Sequence, residues 1–232
     1  MWWRRLFGNG RHSRQTRPAA NTERAFRRQR PMCLEPLEER TLLSLSTLQD
    51  TDLVIDAEAT GGNGADNGTA DEFRLVLNGA NLDIYIDNNL SQFVPFATLS
   101  SITVNGSDDD DSLIVDCTFG IPIPSGGISF HGAGEHTVGD SLELVGDGVC
   151  KVDYAPDAGS SRDGAVTVEG NPITFTGLEP VVMSSLAELT LITPGDADSV
   201  TIDNPAPGVS LVAGTSDAVP FESLTFWDVT AF

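Results

Sequence analysis

The stretch Asp111–Asp116 reads DSLIVD, a short apolar run fenced by aspartates, and it is echoed elsewhere in the 232-residue chain. Asp140-Ser141-Leu142-Glu143-Leu144 repeats it 29 residues later, and Asp198-Ser199-Val200-Thr201-Ile202-Asp203 repeats it after a further 58. Glu222-Ser223-Leu224-Thr225-Phe226 is a looser copy. The second interval is twice the first, although no convincing copy stands between them near Glu169. Repetition at such periods suggests stacked units, each burying its apolar positions against the next.

The surroundings of the phrase agree with strands. Phe73, Leu75 and Leu77 alternate with Arg74 and Val76, and Leu82, Ile84 and Ile86 alternate with Asp83, Tyr85 and Asp87. Asn78-Gly79 lies between the two runs, a turn pair that predicts a β-hairpin. Further strand-like runs are Ile102–Val104, Leu113–Val115, Ile128–Phe130, Leu142–Val145, Val166–Val168, Ile173–Phe175, Leu189–Ile192, Val200–Ile202, Val209–Val212 and Leu224–Phe226. Gly, Asn, Asp and Pro clusters punctuate them, and no stretch of the body keeps a 3.6-residue period. Residues 51–232 are therefore expected to form an all-β, acidic repeat body. A right-handed parallel β-helix or solenoid is favoured, because Asp-Ser-Leu holds one place relative to its turn; a β-sandwich is the alternative. The closing run Phe221–Trp227 is expected to be an open strand edge, covered by a partner or by further chain.

Charge divides the sequence. Residues 1–40 hold ten of the 13 basic residues and four of the 34 acidic ones. The remainder has three basic residues, Arg74, Lys151 and Arg162, against 30 acids, within a formal net charge of −21. An acidic body of this kind repels nucleic-acid phosphates and anionic membrane surfaces and draws cations. Nucleic acid is therefore not an expected partner. No apolar run reaches the ~18–20 residues of a spanning helix, so no membrane span is expected. Residues 1–33, rich in Arg, Asn, Ser and Gln, are expected to be disordered.

Residues 34–48 follow. Leu34, Leu37, Leu45 and Leu48 share one helical stripe with Thr41, and Pro36 suits a first turn, which predicts a short amphipathic helix docking on the body. Within it, Leu34-Glu35-Pro36-Leu37-Glu38-Glu39-Arg40-Thr41-Leu42-Leu43-Ser44 resembles the LEPR-XLL motif near the N-terminus of exported surface proteins of planctomycete bacteria. An Arg-rich leader precedes the motif in that family, as it does here. The resemblance implies that Leu34, Glu35, Pro36, Leu37, Glu38, Arg40, Leu42, Leu43 and Ser44 act as a sorting address. It implies export through the N-terminus to an extracellular or cell-surface location, with envelope or matrix components as partners.

The four aspartates Asp108, Asp109, Asp110 and Asp111 are the candidate metal ligands. In calcium-binding β-helices the repeat G-G-x-G-x-D-x-U-x places oxygens in the turn and a large apolar residue in the core. Asp111-Ser112-Leu113 fits D-x-U and Gly106 fits the first Gly, but Ser107 and Asp109 stand where glycine belongs. Gly61-Gly62-Asn63-Gly64-Ala65-Asp66, His131-Gly132-Ala133-Gly134-Glu135-His136 and Pro194–Val200 are equally degenerate, so the body resembles decayed RTX-like turns. Calcium, with its need for six to eight oxygens, is the expected cofactor if there is one. The same carboxylates also discourage edge-to-edge pairing of the strand that follows.

No catalytic residue is assigned. Gly139-Asp140-Ser141-Leu142 spells the GDSL label of a serine esterase family, but the histidines are His12, His131 and His136, and none follows Ser141 to serve as its base. His131, Glu135 and His136 lack zinc-motif spacing. A non-catalytic structural or adhesive module is the expectation; the alternative is a carbohydrate-active β-helix lyase or hydrolase, which two close carboxylates in a groove would favour. Cys117 and Cys150 are candidates to pair in an exported body, leaving Cys33 over.

Overall fold

A computed structural model describes residues 46–57, 69–133 and 139–232. All of them belong to the second of the chain's two units, Thr41–Phe232. The leader 1–33 and the motif 34–44 lie outside the described residues. Sixteen strands and one 3-10 turn, Phe96–Thr98, make up the described regular structure, and they join in one mixed sheet.

Parallel pairing dominates where the core is deepest. One ladder joins β2 (Asp52–Asp56), β6 (Ser101–Asn105), β8 (Ile128–His131) and β12 (Asn171–Thr176). A second joins β3 (Glu72–Asn78), β7 (Ser112–Asp116), β9 (Asp140–Val145), β13 (Leu178–Leu191) and β16 (Val219–Ala231). The chain alternates between the two, from β2 to β3, from β6 to β7, from β8 to β9 and from β12 to β13.

In-register pairing lines up like residues. Leu53, Ile102, Ile128 and Ile173 form one buried column of the first ladder; Ile55, Val104, Phe130 and Phe175 form the next. The second ladder buries Phe73, Leu113, Leu142, Val181 and Leu224, and beside them Leu75, Val115, Leu144, Met183 and Phe226. Period-2 alternation creates these columns, because a parallel neighbour in register points its own apolar residue the same way. Burying each such side chain stabilises the fold by about 1.5–3 kcal/mol. The opposite face is polar: Thr103, Ser129 and Thr174 line up outside, with Ser129 Oγ 3.2 Å from Thr174 Oγ1.

Antiparallel strands cover the ladder ends. β1 (Ser46–Gln49) pairs with β2, and β11 (Gly164–Val168) pairs with β12. β4 (Asn81–Ile86), backed by β5 (Asn89–Pro95), covers β3. β15 (Val209–Ser216), backed by β14 (Asp198–Ala206), covers β16. β10 (Lys151–Pro156) bridges β11 and the far half of β13. Tight turns link the hairpins. Asp87-Asn88, Glu169-Gly170 and Asp217-Ala218 each place two consecutive residues at positive φ, the conformation that follows strand twist.

Every strand-like run read from the sequence falls in a strand, with only Ile192 standing just past the end of β13. Four expectations need correction. The β3–β4 loop is Gly79-Ala80, since Asn78 still pairs with Asn81. Ser46–Leu48, the end of the stretch expected to be helical, is strand, and Leu48 is 44% exposed instead of docked; one antiparallel partner satisfies backbone groups that the last turn of a helix leaves open. The Asp198-Ser199-Val200 phrase is off the parallel ladders, in the hairpin strand β14, with Val200 42% exposed. β16 is not an open edge, because it pairs with β13 on one side and β15 on the other.

Candidate functional site: the aspartate turn and an acidic groove

The turn between the two ladders gathers buried carboxylates. Asp71 and Asp111 stand immediately before a strand of the second ladder and Asp140 opens one, and register brings the three into line. Asp111 Oδ1 accepts a hydrogen bond from Asp71 N at 2.8 Å. Its Oδ2 accepts from Ser107 N at 2.6 Å and from Ser107 Oγ at 3.0 Å. Asp140 Oδ1 accepts from Asp111 N at 2.8 Å. Asp111 and Asp140 thus each satisfy an amide of the preceding strand start, where a fully buried N–H would otherwise cost about 1–3 kcal/mol. The column stops at β13, where Leu178 stands opposite Asp140.

This geometry accounts for the recurring phrase. Asp caps the neighbouring strand, Ser points outward, and the apolar residue enters the core; Ser112 and Ser141 are direct neighbours in the ladder. Ser141 therefore carries the structural duty of its position, and His131 Nδ1 lies 3.1 Å from Thr176 Oγ1. Glycine keeps the column close. A Cβ on Gly132 would stand 2.2 Å from Asp140 Oδ2 and 2.9 Å from Gly177 O. Asp140 is fully buried, Oδ2 has no hydrogen-bond partner, and burial, reinforced by the charges of Asp111 and Asp110, pushes its carboxyl up to about 7.

The four predicted metal ligands diverge. Asp108 is exposed, Asp109 is 7% exposed with its N–H donating to Ser107 Oγ at 3.2 Å, and Asp110 Oδ1 accepts from Gly139 N at 3.0 Å. Asp111 is fully buried, with both oxygens engaged. Among the described residues, no three His, Cys, Asp or Glu side chains converge where an ion would sit. Gly61–Asp66, Gly134, Glu135 and His136 lie outside the described residues.

A second acidic place escaped the sequence reading. Ser161, Glu179, Pro180, Pro220, Phe221, Glu222 and Ser223 line a groove of about 440 Å³. Glu222 is 4% exposed, and burial, with the charge of Glu179 adding, raises its carboxyl to about 7. Arg162 Nε lies 3.2 Å from Glu179 Oε1. The two glutamates are 43 residues apart, so spacing alone carried no signal; Asp71-Glu72-Phe73, by contrast, already had the Asp-x-apolar form.

Elsewhere, Arg74 pairs with Asp116. Burial pushes Asp116 up, but hydrogen bonds from Thr118 and Arg74 outweigh it and hold the group below the usual range. No helix among the described residues is long and apolar enough to cross a membrane. No protein-family model matches the chain, and no curated protein or solved structure matches it.

Proposed function

We propose that the chain is an exported structural or adhesive module of a cell surface or extracellular matrix, addressed by Leu34–Ser44 and built on a solenoid of the right-handed β-helix kind. The observation that carries this reading is the use made of the acidic turn. Its deepest carboxylates cap the strands of the second ladder, while the apolar columns run unbroken through four and five strands. Parallel ladders favour a solenoid over the antiparallel sandwich. A strongly acidic body, with 30 acidic residues against three basic ones beyond residue 40, suits a module that stays dispersed and meets cationic or polar envelope components. Calcium enters this reading as a weak, screened association with the acidic body around Asp108, Asp109, Asp110 and Asp111. The export test is fractionation of the native host with antibody to the body: recovery at the surface is expected, and cytoplasmic recovery with the leader intact defeats the address. Millimolar calcium should raise Tm above a magnesium control; identical curves remove calcium specificity.

The Glu179–Glu222 groove favours one second reading, a glycoside hydrolase. Glu222, holding a proton near neutrality, has the acidity of a general acid, and Glu179, paired with Arg162, lines the same groove as the second carboxyl group. The body's poverty in Lys and Arg directs this reading to uncharged glycans and so to hydrolysis instead of elimination. Release of reducing ends from a neutral polysaccharide panel, abolished by Glu222→Gln, is its test; a silent panel returns the groove to the structural account.

A further inference from the structure

The corner that ends β9 holds two thiols. Cys117 follows β7, and its N–H donates to Val145 O at 2.8 Å, which sets it beside Gly146 in the parallel ladder. Adjacent strands lie about 4.7–4.9 Å apart. Gly146 has no side chain, and Cys150 Sγ fills the space: a Cβ on Gly146 would stand 2.9 Å from that sulfur. Cys150 is held there by its own backbone, with Cys150 N donating to Asp147 Oδ1 at 2.9 Å and Cys150 O accepting from Ala187 N at 3.0 Å. Both residues are buried, at 1% and 4% exposure, and both are free thiols. The Cys150 sulfur therefore lies against Gly146, the ladder neighbour of Cys117, which brings the two thiols to one corner of the fold.

We propose that Cys117 and Cys150 form a native disulfide that staples β7 to the β9–β10 corner. That an oxidant meets the chain in its natural setting rests on the export reading above. The oxidant is a disulfide, of a small thiol or of a thiol oxidoreductase. A thiolate of the pair attacks one sulfur of the donor, breaking its S–S bond and releasing one donor thiolate. The second cysteine, deprotonated in turn, attacks the mixed disulfide and releases the other half. The pair loses two electrons, the donor gains them, and the two protons end on the donor's thiols.

Timing follows from burial. Burial, with Cys150 close by, pushes the Cys117 thiol up to about 12, so the folded chain holds almost no attacking thiolate at neutral pH. Exchange belongs to the folding chain, before the corner closes. The finished bond is then shielded from reductants by the side chains that cover it.

The test uses the full chain, with Cys33→Ser removing the third thiol, refolded in mixed reduced and oxidised glutathione. Peptide mass spectrometry without reduction should find the Cys117–Cys150 cross-link. The oxidised form should melt about 5–10 °C above the form refolded under reductant, a difference absent in Cys117→Ser. Quantitative alkylation of both thiols after oxidative refolding, or separate glutathione adducts on each, overturns the proposal, and the mass-spectrometric result stands whether or not Cys117→Ser folds. Protein taken from the host's surface fraction should carry the same link; free thiols there overturn it too. Recovery only from the cytoplasm, with cross-linking on refolding, defeats the export reading and supports the pairing.

Discussion

Asp111 illustrates how one residue type serves opposite ends in one run. Beside exposed Asp108, it is sealed from water and receives three hydrogen bonds, two of them from backbone amides. Asp111→Ala leaves those donors buried and unmatched, and should cost about 3 kcal/mol in chemical denaturation. Asp108→Ala should stay within about 0.5 kcal/mol. Acidity separates the buried carboxyls further. Asp140 and Glu222, raised to about 7, bind protons more tightly folded than unfolded. Their contribution is therefore complete below the unfolded carboxyl range, near pH 4, and is lost as pH rises through about 7. Tm should be lower at about pH 8 than at about pH 5.5, and the double variant Asp140→Asn, Glu222→Gln should flatten that slope; an unchanged slope would assign the effect to general charge repulsion.

Strands are ranked by the company they keep. β8 has parallel neighbours on both sides, and its Phe130 is fully buried between Val104 and Phe175. Phe130→Ala should cost about 3–5 kcal/mol by opening a cavity that packed columns cannot collapse. β14 has one partner and exposure along its whole length, so Val200→Thr and Ile202→Thr should each change stability by no more than about 0.5 kcal/mol. Glycine matters at the turn between the ladders. Gly132→Ala drives a methyl into Asp140 Oδ2 and the Gly177 carbonyl, and should destabilise by at least about 2 kcal/mol. The strand runs were visible in sequence because alternation is local. Strand β10, KVDYAP, was not read as one: charged and aromatic residues interrupt its apolar pattern, and it is held by β11 and β13 on its two sides.

At the scale of the molecule, the dominant property is a formal charge of −21 on a chain whose basic residues cluster before residue 41. Self-repulsion of such a body weakens as the Debye length falls from about 30 Å at 0.01 M salt to about 8 Å at 0.15 M. Tm should rise over that interval with sodium chloride alone. A fall would mean that attractive pairs such as Arg74–Asp116 and Arg162–Glu179 outweigh the net field. The covering hairpins have a related role. With β4–β5 and β14–β15 laid over the second ladder, its inner parallel strands offer no edge to another chain.

By itself the amino-acid sequence determined that this body is built of strands, where most of them run, and which side chains fill its interior, because alternation, turn residues and charge act over a few neighbouring positions. It also marked Asp111 and Asp140 as equivalent through their shared phrase. Only the tertiary structure decided which copies of that phrase lie on parallel ladders and which is spent on an exposed hairpin. It alone brought Asp71 into line with Asp111 and Asp140, Glu179 into one groove with Glu222, and Cys150 into the space beside Gly146. Those meetings depend on register between strands 26 to 49 residues apart in the chain, set by the packing of the columns, and no local pattern carries that information.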